Sequence, residues 1–271
     1  MGALHEGHTV LIEEARDLAG ESGVVVVSVF VNPTQFGPEE DFDAYPRDLD
    51  GDAGVCADAG ADLMFAPSAQ AMYPEGFSTV VEETQLSQHL CGVSRPGHFS
   101  GVCTVVLKLL NITGAQLAVF GEKDFQQLGV IRRVVRDLNL DVEIVGVPTV
   151  REDDGLAMSS RNRYLDGDQR LAATRLAYGL ELARQAYFGG ERSAEELLSI
   201  VEDTLAPCGF ARVDYIELVD AETFRPVERA DGDSVLAAAV FFGQTRLIDH
   251  VDLAAVECLE EEVPEEEMTY S

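Results

Sequence analysis

Positive charge is what this 271-residue sequence has least of: 19 Lys and Arg stand against 49 Asp and Glu, a formal net charge of −30. Two of those basic residues are lysines, Lys108 and Lys123. Such a surface repels phosphate backbones and anionic lipid heads, which excludes nonspecific binding to nucleic acid or to a membrane surface. Long apolar runs are missing as well. The longest, Val24 to Val27 continued by Ser28-Val29-Phe30-Val31, is strand-sized, whereas about 20 residues are needed to span a bilayer. No basic start leads into an apolar stretch, so there is no signal-peptide pattern. The five cysteines, Cys56, Cys91, Cys103, Cys208 and Cys258, are odd in number and scattered, which fits neither a disulfide framework nor a thiolate zinc site and suits a reducing, cytoplasmic compartment.

What is there reads as a folded protein, with 46% apolar residues and enough length for one large or two modest domains. Seven glutamates between Glu257 and Glu267 make an acidic run of the kind that stays solvated. Without them 42 acids remain, so the body is acidic too, a pattern consistent with work at high salt. Apolar residues at helical spacing predict a helix over 8–19. The β-branched run at 24–31 predicts a strand buried on both faces, as in a parallel sheet. Helices near 48–59, 102–112 and 123–138 alternate with strands near 62–66, 116–120 and 142–147, with a further strand at Thr79–Val81, which indicates a parallel α/β sheet. After about residue 150 the texture changes: helices at 167–188 and 193–206 are followed by strands at 212–219, 234–242 and 245–250 with no helix between them, hence an antiparallel α+β unit. The expected division is 1–149, 150–257 and a disordered acidic tail at 258–271. A helix so near the first residue lacks the strand that precedes it in parallel α/β units. Either the start lies downstream of the true one or the sheet lacks a member.

Five short stretches carry chemistry. Met1-Gly2-Ala3-Leu4-His5-Glu6-Gly7-His8 puts two imidazoles and two glycines at a helix N-terminus, where free N–H groups and the positive dipole end suit phosphate; a zinc pair or two surface histidines are the rival readings. Phe30-Val31-Asn32-Pro33-Thr34-Gln35-Phe36 sits at the carboxyl end of a strand, where open α/β sheets bind ligands, and offers the amides of Asn32 and Gln35. Gly121-Glu122-Lys123-Asp124-Phe125-Gln126-Gln127 again follows a strand and opens a helix, with the Lys123 ammonium as a point charge for phosphate and Gln127 on the same helix face. Met158-Ser159-Ser160-Arg161-Asn162 sets two hydroxyls beside a guanidinium, either a polyphosphate clamp or a pair of capping serines. Ser94-Arg95-Pro96-Gly97-His98-Phe99 is a loop with two cationic side chains. Each is weak alone. Together they gather scarce cations at the strand ends of one sheet, which implies an anionic ligand, most simply a nucleoside triphosphate.

In their order and spacing the five motifs resemble the pantothenate synthetase (pantoate–β-alanine ligase) family, from Met1 to about Val251. The resemblance implies a Rossmann-like nucleotidyltransferase domain followed by a smaller α+β lid domain. It implies ATP-dependent condensation of pantoate with β-alanine through a pantoyl-adenylate, with magnesium, in a cytoplasmic homodimer. It assigns ATP to Met1, Gly2, Ala3, Leu4, His5, Glu6, Gly7 and His8, to Gly121, Glu122, Lys123 and Asp124, and to Val150, Met158, Ser159, Ser160 and Arg161. Pantoate and β-alanine fall to Gln35 and Gln127. His8, His5, Lys123, Ser159 and Arg161 carry the catalytic roles. The metal ligands stay open, with Asp50, Asp52 and Asp124 as candidates. Family members carry a further segment ahead of this Met, including the first central strand and a Pro-Thr turn. The alternatives are another adenylate-forming nucleotidyltransferase or a non-catalytic relative.

Overall fold

A computed structural model of the chain describes residues 2–38 and 40–253. The first helix, α1 (Glu6–Ala19), turns Ile12, Ala15 and Ala19 onto Val25, Val27 and Val29 of the following β-branched run, while Leu18 of the same apolar series faces solvent. That run yields only a short strand, β1 (Val26–Ser28), because its partner after helix α2 (Leu49–Asp58) is the equally short β2 (Leu63–Phe65). The two pair in parallel, Val26 opposite Leu63, and Val29 adds one more bond to the Phe65 carbonyl at 2.9 Å.

Two one-turn helices, α3 (Ala69–Met72) and α4 (Cys91–Ser94), lead to the apolar α5 (His98–Thr113). A second parallel pair follows, β3 (Leu117–Gly121) and β4 (Glu143–Val147), joined across α6 (Phe125–Asp137) with Leu117 opposite Glu143. Among the described residues no ladder bonds join the β1–β2 pair to the β3–β4 pair. The expected strand at Thr79–Val81 is not one. The stretch is extended, but its Val81 N–H donates to the Thr104 hydroxyl of α5 at 2.9 Å and Val80 faces solvent, so helix side chains take the place of a strand partner.

The second half is α7 (Gly167–Phe188), α8 (Ala194–Leu205) and the antiparallel strands β5 (Ala211–Asp220), β6 (Ser234–Phe242) and β7 (Thr245–Asp252), in sheet order β5-β6-β7. The α7 boundary follows from a capping box: Asp166 accepts from the Gln169 N–H at 2.9 Å and Gln169 returns an acceptor to the Asp166 N–H at 3.3 Å. After Ser234 the central strand β6 is apolar because it is covered on both faces. Leu236, Ala238, Val240 and Phe242 pack under α7 and α8, while Val235 and Ala237 pack with Leu90 and Phe125 of the first half. Phe224 completes the join, its ring lying where a Cβ on Gly129 of α6 would stand at 2.3 Å. The two halves therefore meet along the carboxyl end of β3, and a cleft opens there.

Candidate active site

The N-terminal loop is pinned from below. Asp52 of α2 is 2% exposed, and its two carboxylate oxygens accept the backbone N–H groups of Ala3 at 3.0 Å and Leu4 at 2.6 Å. Asp52, one of the metal-ligand candidates, thus spends a hydrogen bond from each oxygen on the backbone of this loop. It also fixes His5 as the residue that starts α1. The His5 backbone N–H donates to Nδ1 of His8 at 3.2 Å, and the two rings lie 4.0 Å apart. Burial is the main reason that the His8 pKa falls to about 3, helped by the neighbouring His5. His5 is lowered also, by burial first and then by the charge of Lys123. Both imidazoles are therefore neutral at pH 7. Because Nδ1 of His8 accepts a hydrogen bond, its proton sits on Nε2. The ring of His5 and the Cβ of Met158 crowd Gly7, where an added Cβ would lie 3.1 and 3.5 Å away, so the fourth motif is packed against the first.

The cleft opens to solvent, and together with the space at its mouth it spans about 700 Å³. Arg95, His98, Lys123, Asp124, Gln127, Ser159 and Arg161 line it from one side, and β7 supplies Arg246, Asp249 and His250 from the other. Three of its four cationic side chains are engaged by carboxylates. Arg95 grips Glu40 at 2.8 and 2.6 Å, Arg161 grips Asp41 at 2.9 and 2.8 Å, and Arg246 grips Asp214 at 3.1 and 2.8 Å. Lys123 has no salt bridge among the described residues, and its charge reaches His5, His8 and His250. Burial opposes the charge on Arg161, but hydrogen bonds and attraction from Asp41 outweigh it and raise its pKa.

Asn32, 2% exposed, organises the second motif. Its Nδ2 donates to the Gln35 side-chain oxygen at 3.1 Å and to the Gly101 carbonyl at 3.2 Å, while Oδ1 accepts from the Thr34 hydroxyl at 2.9 Å and the Tyr73 hydroxyl at 2.7 Å. The Gln35 amide is held by its oxygen, so its NH₂ group remains for a ligand. The Gln35 backbone carbonyl accepts from Arg95 at 3.2 Å and from Nδ1 of His98 at 2.9 Å. Burial lowers the His98 pKa to about 4, leaving a neutral ring whose Nε2 meets Arg95 at 3.1 Å. Gln126 turns away from Gln127 and pins the preceding wall through the carbonyls of Leu86 and His89, at 2.8 and 2.7 Å.

The serines serve structure as well as the cleft. Ser159 caps the one-and-a-half-turn helix Ser160–Tyr164 by accepting from the Arg161 N–H at 3.2 Å, and the buried Ser160 meets the Tyr45 hydroxyl at 3.3 Å. Val150 accepts from the Met158 N–H at 2.9 Å. Glu122 lies against Gly146 of β4, next to Arg132, and does not line the cleft. Met1 and the 258–271 tail fall outside the described residues. Sequence reasoning missed Glu40, Asp41, Arg246 and His250. The first two were lost in the acidic excess, and the others become neighbours of Lys123 only when β7 docks. No group of three or more His, Cys, Asp or Glu among the described residues is placed to hold a metal ion. Asp50 is exposed on α2, whereas Asp124 lines the cleft and its carboxylate caps no helix.

A family model for pantoate-beta-alanine ligase matches residues 1–252. A pantothenate synthetase of Thermotoga petrophila is 53% identical over 253 residues, covering 93% of this chain and 89% of that protein. One of Pelotomaculum thermopropionicum is 51% identical, with the same coverage. The crystal structure of pantothenate synthetase from Thermus thermophilus superposes with a TM-score of 0.90 at 47% identity, over 94% of this chain and 91% of that one. A pantoate-beta-alanine ligase from Francisella tularensis, crystallised with a β,γ-ATP compound and β-alanine, gives 0.76 at 36% identity, over 94% and 88%.

Proposed function

The chain belongs to the pantoate–β-alanine ligase family, and on that premise we propose that the cleft between its two halves is where it works and that the motif residues divide the labour there. The protein is an ATP-dependent ligase that joins pantoate to β-alanine. In the proposed course a pantoate carboxylate oxygen attacks the α-phosphorus of ATP and pyrophosphate leaves. The amine of β-alanine then attacks the acyl carbon of the adenylate, and AMP leaves. Negative charge builds on phosphate oxygens in the first step, so the useful groups are fixed donors and cations aimed at them. His8 donates through Nε2–H and His5 sits beside it as a second neutral imidazole, both at the positive end of α1. Lys123 supplies the positive charge that no carboxylate among the described residues pairs with. Ser159 and Arg161 face the same space from the Ser160–Tyr164 turn. Gln35 and Gln127 hold the organic substrates by their amides.

Magnesium would fit as a companion of the nucleotide, with Asp124 in the cleft as the carboxylate that would hold it, in keeping with the few protein ligands such ions take. When bound, it offsets charge on the phosphate groups. The family resemblance supports a homodimer in the cytoplasm, with four free cysteines in the described residues. It also supports a division at about residue 150 into a nucleotide domain and a lid.

The observation that carries the residue roles is the unpaired Lys123 beside two neutral imidazoles, in a cleft whose arginines are all carboxylate-bound. The test is pyrophosphate release from ATP and pantoate in Lys123→Ala and His8→Ala. Each variant should lose roughly 10²–10³ in kcat if it removes one transition-state contact. Near-normal turnover in both would overturn the assignment.

A further inference from the structure

Arg161 enters the cleft with one edge of its guanidinium already used. Nε and Nη2 donate to the two oxygens of Asp41 at 2.9 and 2.8 Å, and the face of the Tyr45 ring lies 5.3 Å from Cζ. A guanidinium has five N–H donors in a rigid fork, so a carboxylate on the Nε edge leaves the Nη1 edge for a ligand and fixes the direction in which that edge points. The segment that brings Asp41 is itself tied to the Ser160–Tyr164 turn: the Tyr45 hydroxyl meets Ser160 at 3.3 Å, and the Tyr164 hydroxyl donates to the Ala44 carbonyl at 3.1 Å.

The residue before Asp41 is tied to the other side. Glu40 takes Nε and Nη2 of Arg95, whose Nη1 meets His98 and whose Nη2 also reaches the Gln35 carbonyl. Each nitrogen of Arg95 that bears a proton is thus engaged within the protein. It acts as an anchor and offers no free edge to an anion. Hydrogen bonds join the Gln35 carbonyl to Arg95 and Arg95 to Glu40, others join Asp41 to Arg161, and the peptide bond between Glu40 and Asp41 links the two sets.

We propose that Asp41, anchored through Glu40 to Arg95, is a positioning residue that aims the free edge of Arg161 at the nucleotide phosphates and sets its distance from the Arg95 side of the cleft. The inference rests on the reading that Arg161 binds phosphate. Holding a long cationic side chain in its working geometry before the ligand arrives removes an ordering cost from binding. A misplacement of about 1 Å at a reacting centre can cost as much as 10²-fold in rate. The competing possibility is that Asp41 occupies the place of a phosphate and must be displaced by it.

The two have opposite signs. ATP affinity is measured by calorimetry without pantoate, and KM and kcat by pyrophosphate release, in Asp41→Asn, Asp41→Glu, Arg161→Ala and the double variant Asp41→Asn/Arg161→Ala. Positioning predicts that Asp41→Asn weakens ATP by roughly tenfold or more, with a smaller change in the KM for pantoate, and that Asp41→Glu recovers part of the loss. It further predicts that the double variant is no worse than Arg161→Ala alone, a coupling that general loss of stability does not produce. Unchanged or tighter ATP binding in Asp41→Asn, or additive losses in the double variant, would overturn it. Should Asp41→Asn melt below the assay temperature, Asp41→Glu and Glu40→Gln carry the same comparison. If Arg161→Ala itself binds ATP normally, the phosphate role of Arg161 fails and this inference goes with it. Weak binding in Arg161→Ala beside normal binding in Asp41→Asn sinks the positioning role alone.

Discussion

Replacing Gly101 by alanine sets two elementary effects against each other. Gly101 lies inside α5, where alanine is ordinarily the better residue by about 1 kcal/mol. Helix propensity alone therefore predicts a more stable protein. The structure predicts the reverse. A Cβ built on Gly101 stands 2.3 Å from the Thr34 carbonyl oxygen and 2.7 Å from the Gln35 nitrogen, both backbone atoms of the turn that carries Gln35. Ordinary carbon–oxygen contacts begin near about 3.3 Å, so the turn must retreat by about 1 Å. It cannot do so freely, because Asn32 ties the turn to the Gly101 carbonyl at 3.2 Å and Arg95 and His98 hold the Gln35 carbonyl. Forcing a methyl into such a contact costs about 1–3 kcal/mol, which meets or exceeds the gain in helix propensity. The functional cost is larger in relative terms, since a shift of that size at the amide proposed to bind pantoate is worth up to roughly 10²-fold. Urea unfolding and steady-state kinetics with pantoate varied at saturating ATP read both. We expect a lower unfolding midpoint and a raised KM for pantoate. A Gly101→Ala protein that is more stable than the parent and unchanged toward pantoate would falsify the claim that this contact places Gln35.

Asn32→Asp changes little in size, but it replaces the donor that faces the Gly101 carbonyl and the Gln35 oxygen with a charged acceptor. Two acceptors lose their partner, at a cost of about 2–3 kcal/mol, and pantoate-dependent turnover should collapse with them; wild-type melting and kinetics would refute the hub role. The pH dependence of stability has a definite sign. His8 and His98 have folded pKa values near 3 and 4 against 6.5 in the unfolded chain, so below pH 6.5 the unfolded state takes up protons that the folded state refuses. Stability present above pH 6.5 is lost as the pH falls toward 4, by about 1.4 kcal/mol per pH unit for each such histidine. Chemical unfolding between pH 7 and 4.5 checks this, and the slope should flatten in His98→Gln; a flat profile in the parent would contradict the buried neutral rings. Because His8 stays neutral through the same range, its titration contributes no acid limb near pH 6.5 to kcat/KM, and a limb that vanished in His8→Gln would count against a buried, neutral His8.

Much of the frame was legible because local signals and packing agree. The α7 limits expected at 167–188 are the observed ones, since Asp166 and Gln169 cap the helix with their own side chains and need nothing distant. The antiparallel reading of the last three strands holds because no helix separates them. The failures fall where a partner decides. The β-branched run at 24–31 yields three residues of strand because β2 offers three, and Thr79–Val81 yields none because Thr104 of a helix takes its N–H. In the candidate site the donors were legible as residue types, and Lys123, Gln127, Ser159 and Arg161 do face one cleft. What constrains them was not. Asp52, open to reading as a metal ligand, holds the His5 loop, and His250 has no motif around it at all.

The acidity itself changes meaning once the pairs are known. In a chain with 49 carboxylates and 19 basic side chains, a guanidinium in a cleft will attract some acid whatever the fold does. A cleft built to receive an anion must therefore settle in advance which acid each arginine holds and by which edge. Bidentate pairing of Asp41 with Arg161 and of Glu40 with Arg95, and the grip of Arg246 on one oxygen of Asp214, do this, while cancelling most of the positive charge in the cleft. On the proposed reading, attraction of a triphosphate then rests on what is left uncancelled: the ammonium of Lys123, the N–H groups at the start of α1 and the fork edge that Asp41 leaves open on Arg161. A second lysine could not replace Arg161 in this scheme, because a point charge held by Asp41 has no opposite edge to present.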